Sequence, residues 1–320
     1  MSTRTPPRYS TRELQAAAAA LAAGRFTTAT ARAEATAPID DLHARPISDS
    51  VDSTTATAAS APASAGGGHG VGAAGAHRPI DTATVPSMGA PLVRVRPANA
   101  GAGASTIALA LADVADVAGI RTRVLDAAAP AWSGLLGATV TELGAAQGWR
   151  RGRRGDGVLI DRVANAVRVP AEVPTPRPVD GVDLTVLDAG WSMRELLACP
   201  ASAWVATTPA DAEILVTRPH GLALSQTEAS LADLEHQLAA DQVVVVVVGA
   251  GRWSDREFST AGRLLRTAHR QEAVLFAPLL PTKALRGLGP GPLPKQLTNP
   301  SHRLLDRITT ITGPLATNRT

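Results

Sequence analysis

Cysteine is almost missing from this chain: Cys199 is the only one in 320 residues. A single thiol excludes a disulfide framework or a cysteine-based metal site within one chain and suits a reducing cytoplasm. Followed by a proline and set beside small residues, it reads as buried structure rather than as a nucleophile. Lysine is nearly as scarce, with Lys283 and Lys295 the only two among 31 basic residues. That bias toward arginine and alanine reflects genome composition and carries no chemistry by itself. Aromatic residues make up 3% against 45% hydrophobic ones, so the core has to be built from Val, Leu, Ile and Ala. Long apolar runs are also lacking. The longest, Val243 to Val248, is far short of the roughly 20 residues that span a bilayer. No apolar stretch follows the N-terminal arginines, so no signal peptide is expected. A formal charge of +3 is too small to mark a general nucleic-acid binder. The expectation is a cytoplasmic protein with no membrane partner.

What is present falls into two parts. Residues 1–88 are rich in Ala, Thr, Ser, Gly and Pro, as in STTATAASAPASAGGGHGVGAAGAH, a composition with too little apolar surface to offset chain entropy. This region is expected to be mostly disordered. One exception is the capping-box pattern Ser10-Thr11-Arg12-Glu13 ahead of LQAAAAALAAG, which predicts a short helix over 11–24. From residue 89 to 320, short apolar runs alternate with amphipathic stretches. Strands are predicted at 92–95, 122–127, 182–190, 212–218, 243–248 and 273–279. Helices are predicted at 105–119, 225–238, 255–270 and 301–311. Strand–helix alternation with all-apolar strands predicts an α/β domain with a doubly wound, mostly parallel sheet covered on both faces.

The stretch NAGAGAST, Asn99 to Thr106, lies between the first strand and the first helix. A phosphate loop works because successive backbone N–H groups converge on phosphate oxygens and the following helix adds its positive end. Gly101 and Gly103 permit the tight path, Ser105 stands where a hydroxyl ligates Mg²⁺, and Thr106 opens the helix. In the G-x-x-x-x-G-K-[ST] pattern, Ala98 replaces the first glycine and Ala104 the lysine. The cradle survives without its main cation. A dinucleotide fingerprint is the rival reading, with Asp126 at the ribose-reading distance. However, Pro97-Ala98-Asn99-Ala100 separates the glycines from the strand, which suits the longer phosphate loop.

On these residues the chain resembles the ParA/MinD group of deviant-Walker ATPases. The loop lies on that family's K-G-G-x-G-K-[ST]-T, RTRVLDAAAP on its second strand with the D-x-D-P end, and VDLTVLDAG on its Walker B strand. AEILVTRPHGLALSQTEASLADL and FAPLLPTKALRGLGPGPL match later segments in order. The resemblance implies a P-loop-type fold, ATP and Mg²⁺ as cofactors, a protein partner, a homodimer and a role in positioning DNA or division factors. Carried over residue by residue, Gly101, Gly103, Ala104, Ser105, Thr106 and Gly190 are the nucleotide-binding candidates. Ser105 and Asp188 are the Mg²⁺ candidates, and Asp126 and Asp188 the catalytic ones. The departures are as telling. Asn99 and Ala104 replace both family lysines, and Ala128 replaces the second acid of D-x-D. Removing one group that stabilises a transition-state charge costs about 2.7–4 kcal/mol, so losing several removes measurable turnover. Arg94, Arg96, Arg194 and Arg218 are the guanidiniums available to substitute. Arg94 and Arg96 alternate with Val93 and Val95, which predicts a partly exposed first strand.

Three functions follow. The first is a noncatalytic ParA/MinD-like scaffold or regulator retaining weak nucleotide binding. The second is an active ATPase of that type in DNA partitioning. The third is a DNA-binding accessory protein using Arg150, Arg151, Arg153 and Arg154, four arginines beside Trp149 that read as a surface loop able to follow a phosphate backbone. The scattered His220, His236, His269 and His302 have no metal-ligand spacing, Ser192 and Ser225 lack a nucleophile-elbow context, and Trp253 with Asp255 and Glu257 marks a helix start.

Overall fold

The computed structural model describes residues 88–280 and 287–317. The helix expected over 11–24 and the character expected of residues 1–87 lie outside the described residues, as does Lys283. Six consecutive valines form β8 (Val243–Val248), buried on both faces. Val244, Val246 and Val248 enter one core and Val243, Val245 and Val247 another, as a strand sandwiched between two layers requires. Around it lie β1 (Leu92–Pro97), β2 (Thr122–Asp126), β5 (Val158–Val163), β6 (Leu184–Asp188), β7 (Ala212–Thr217) and β9 (Val274–Ala277). Their order is β5-β2-β6-β1-β7-β8-β9, all parallel. Two further strands, β3 (Thr141–Ala146) and β4 (Trp149–Arg154), extend one edge antiparallel.

Helices cover both faces. On one, α1 (Ala104–Val117) lies over the sheet centre, and its alanines 108, 110, 112 and 115 are buried beside Leu304, Leu305 and Ile308 of the C-terminal helix Thr298–Thr312. On the other, two apolar clusters are separated. One gathers Leu125, Leu187, Trp191 and Trp204, the other Leu215, Leu231, Leu264 and Leu265. The result is the doubly wound, mostly parallel sheet expected from the strand–helix alternation.

Several local expectations are corrected. The predicted helix over 225–238 starts earlier, at Gly221, because His220 caps it through Nδ1, and breaks at Leu234. The helix over 255–270 is two, Asp255–Ser259 and Arg263–Arg270, the first opened by a Ser254–Glu257 capping box. Cys199 is half-buried, its thiol donating to the Glu195 carbonyl.

The first strand is not exposed at all. β1 sits between β6 and β7, and Arg94 and Arg96 are 3% and 6% exposed. Both guanidiniums pair with Glu213, which the register sets opposite Arg94, at 2.5 Å and 2.9 Å. Arg94 also donates to the carbonyls of Thr208 and Val205. The ionic group fills the gap between the two apolar clusters.

The four-arginine run is a strand, not a loop. Alternate residues of β4 face opposite sides of the sheet, so Arg150 and Arg153, the two exposed members, point apart. Arg151 is taken up by Asp161, and Arg154 by Asp113 of α1. Two of the four are thus committed to carboxylates, and the two exposed ones lie on opposite faces.

Candidate functional site

The stretch Asn99–Gly103 is a turn between the central strand β1 and α1. Gly101 and Gly103 hold φ of 68° and 101°, the left-handed region that glycine enters without cost. The first helical bond of α1 runs from the Ile107 N–H to the Gly103 carbonyl, and no side chain caps the helix. The N–H groups of Ala104, Ser105 and Thr106 are left without an intrahelical acceptor, at the helix's positive end. Asn99 does not reach outward. Its amide donates to Thr217 at 2.9 Å and pins the loop to β7.

These groups form one wall of a cavity of about 1060 Å³. Gly101, Gly103, Ala104, Ser105, Thr106, Asp188 and Gly190 all line it, so the structure brings the nucleotide and Mg²⁺ candidates together. Asp126 does not line it. Its carboxylate lies below the floor, accepting from the Ser133 hydroxyl and the Ala128 N–H. Burial pushes its pKa up to about 6 against those hydrogen bonds and the Arg162 charge. In Asp188, opposite Asp126 in the β2–β6 register, burial and then the Asp126 charge push the pKa up to about 7. The Ser105 hydroxyl and the Gly190 N–H face Asp188 and pull the other way. Neither closes a hydrogen bond of good geometry, and both buried carboxylate oxygens remain unpartnered.

Gly190 is needed for packing. A Cβ there would come within 2.6 Å of the Ala128 backbone nitrogen, so β6 and β2 could not approach at their ends. Of the four substitute arginines, only Arg218 reaches the cavity. Its guanidinium donates to the Gly101 carbonyl at 2.8 Å, lying across the loop. Arg94 and Arg96 are held by Glu213. Sequence reasoning missed Arg168, which is exposed at the cavity wall, and Trp132, 83% exposed at its mouth. Neither sits in a pattern that marks it. Ser133 carried a faint signal as a hydroxyl shortly after the strand-ending Asp126. Among the described residues, no group of three His, Cys, Asp or Glu could hold a metal by itself, and no helix is long and apolar enough to cross a membrane.

Fold and loop together define an α/β domain with a phosphate-loop-like turn after its central strand. No family model matches the sequence, and no curated protein matches it. Solved structures do. The chain is similar to the cell division ATPase MinD of Pyrococcus furiosus, with 18% identity over 69% of this chain and 98% of that one and a TM-score of 0.45. It is similar to the septum site-determining protein MinD of Pyrococcus horikoshii OT3 complexed with Mg-ADP, with 15% identity over 70% and 98% and a TM-score of 0.47. It is also similar to a ParA family ATPase from Chlorobium tepidum TLS, with 14% identity over 68% and 98% and a TM-score of 0.42.

Proposed function

We propose that residues 89–320 form a noncatalytic relative of the ParA/MinD ATPases, a scaffold or regulator that acts through protein contacts and keeps weak nucleotide binding at the Asn99–Thr106 loop. The observation that carries this reading is the pairing of an intact amide cradle with Ala104, a side chain that cannot reach a phosphate. Its acid, Asp188, is left buried and unpartnered. The residues fit Mg²⁺ held with a phosphate. Ser105 and Asp188 offer hard oxygen ligands of the kind that ion takes, and the two free carboxylate oxygens await a cation. A bound Mg²⁺ would offset phosphate charge there. The chain's own part is to orient the phosphate through the amides of Ala104–Thr106.

Two features support retention of nucleotide: Arg218 lies on the loop and Arg168 on the facing wall. Neither restores an acid at Ala128 to orient water, which supports binding without turnover. Calorimetric titration of the full chain with ATP and Mg²⁺, alongside phosphate-release assays, tests the reading. Expected are weak binding, no release above background, and affinity rising about tenfold or more in Ala104→Lys, the worth of one charge-assisted hydrogen bond. Clear turnover by the native chain would make it an active ATPase instead.

A further inference from the structure

A second cavity, of about 430 Å³, shares no lining residue with the first. It lies on the sheet face opposite α1, at the edge formed by the β3–β4 hairpin. Arg123 of β2, Arg151 of β4 and Asp161 of β5 meet there. Asp161 accepts from both guanidiniums, from Arg123 Nε at 2.8 Å and from Arg151 Nε at 2.6 Å. The facing wall is Arg177, Pro178 and Val179, the end of a segment held in place by three donors. Arg123 Nη1 donates to the Arg177 carbonyl at 2.7 Å, Trp149 Nε1 to Pro174, and Trp204 Nε1 to Val173. The hairpin turn is equally fixed. Gln147 and Gly148 both have positive φ, 54° and 82°, as a two-residue I′ turn demands. A left-handed glutamine is a strained choice of the kind that collects at ligand clamps, and Gln147 lines the cavity.

The charges lining this cavity do not balance. Arg123, Arg151 and Arg177 face it, and Asp161 is the one acid among them, a surplus of two positive charges. A guanidinium cannot shed its proton in a protein, so the surplus has to be met by an anion or by water. Arg123 is 2% exposed. Burial lowers its pKa, Asp161 opposes that, and the neighbouring Arg151 lowers it further. Among the described residues, Arg177 has no carboxylate partner, and the Nη1 edge of Arg151 makes no hydrogen bond.

We propose that this cavity binds a small phosphomonoester dianion, its phosphate held between Arg151 and Arg177. Arginine forks match phosphate oxygens in pairs, and a dianion on a single head neutralises the whole surplus. Leu143, Ala146, Trp149 and Val179 give the organic remainder an apolar wall. The volume lies within the roughly 300–1,000 Å³ of small-molecule sites. This site stands whether or not the loop binds a nucleotide.

The test is calorimetric titration of the full chain at low ionic strength with glycerol 3-phosphate, inorganic phosphate and succinate. Glycerol 3-phosphate is expected to bind tightest. Its affinity is expected to fall about ten- to a hundredfold in Arg177→Ala, the worth of a charge-assisted contact, and to be unchanged in Arg218→Ala, which does not line this cavity. Arg151→Gln, which also loosens Asp161, should fall similarly. Arg177 is exposed, so its variant keeps the native melting temperature and decides the matter if Arg151→Gln fails to fold. Undiminished affinity in Arg177→Ala, loss in Arg218→Ala instead, succinate binding as tightly, or no binding heat at all would each overturn the proposal.

Discussion

The loop cavity and the hairpin cavity bury charge of opposite sign, and the chain handles the two signs by different chemistry. Below the loop, Asp126 and Asp188 have no basic partner within hydrogen-bond reach among the described residues, and burial makes both hold protons to higher pH. At the hairpin, Arg123 and Arg151 share one carboxylate, and a change of protonation offers no escape because a guanidinium keeps its proton in a protein. A buried acid can wait neutral for a cation; a buried guanidinium needs its counter-charge from the moment the chain folds. The same isosteric change should therefore have opposite effects in the two places.

The largest effect is expected from Asp161→Asn, which strands two guanidiniums and should cost about 3–5 kcal/mol in urea unfolding. A cost under about 1 kcal/mol would mean that solvent already neutralises that cluster. The counterpart, Asp188→Asn, should stabilise. The folded pKa, about 7, lies above the ordinary 3.8. Below pH 4 both states carry the proton and nothing is gained. As pH rises from about 4 to about 7, the unfolded chain ionises more readily and wild-type stability falls. The asparagine variant should escape most of that slope and be more stable by about 1–3 kcal/mol at pH 8 without added cation, read from melts across that range. A wild-type curve flat over the interval would show that Asp188 already has a partner. The smallest effect is expected from Arg218→Ala. Stability should move by no more than about 0.5 kcal/mol, as for most surface changes, while amide exchange at 101–104 quickens with the Gly101 carbonyl released.

How much of this was legible depended on where the information sits along the chain. The valines of β8 announce a strand by themselves, and Trp253 with Asp255 and Glu257 announces a helix start, though not the Ser254 cap that opens it. The glycines at 101 and 103 mark the turn after β1, and Ser105 beside it does meet Asp188, at the end of β6, in one cavity. What was hidden is non-local. Nothing near Arg94 says that Glu213, 119 residues away, will sit opposite it, so an alternating Arg–Val pattern read as an exposed strand. The hairpin was hidden for another reason. TELGAA is exposed along its whole length, so β3 has no buried face to impose an apolar period, and WRRGRR looks like a charged loop. Arg151 and Arg154 acquire their partners only once β5 and α1 are in place. Asp126 is legible at a strand end, but its place beneath the cavity floor depends on Ser133 folding back over it.

Arg154 gives the molecule a mechanical link between its edge and its rim. One planar side chain grips Asp113 of α1 at 2.6 Å and the carbonyls of Gly289 and Gly291 at 2.7 Å each. Those carbonyls lie just beyond Gly287 and Leu288 on the rim of the loop cavity. Removing that single side chain would therefore release the hairpin edge and the stretch beside the far opening in one change.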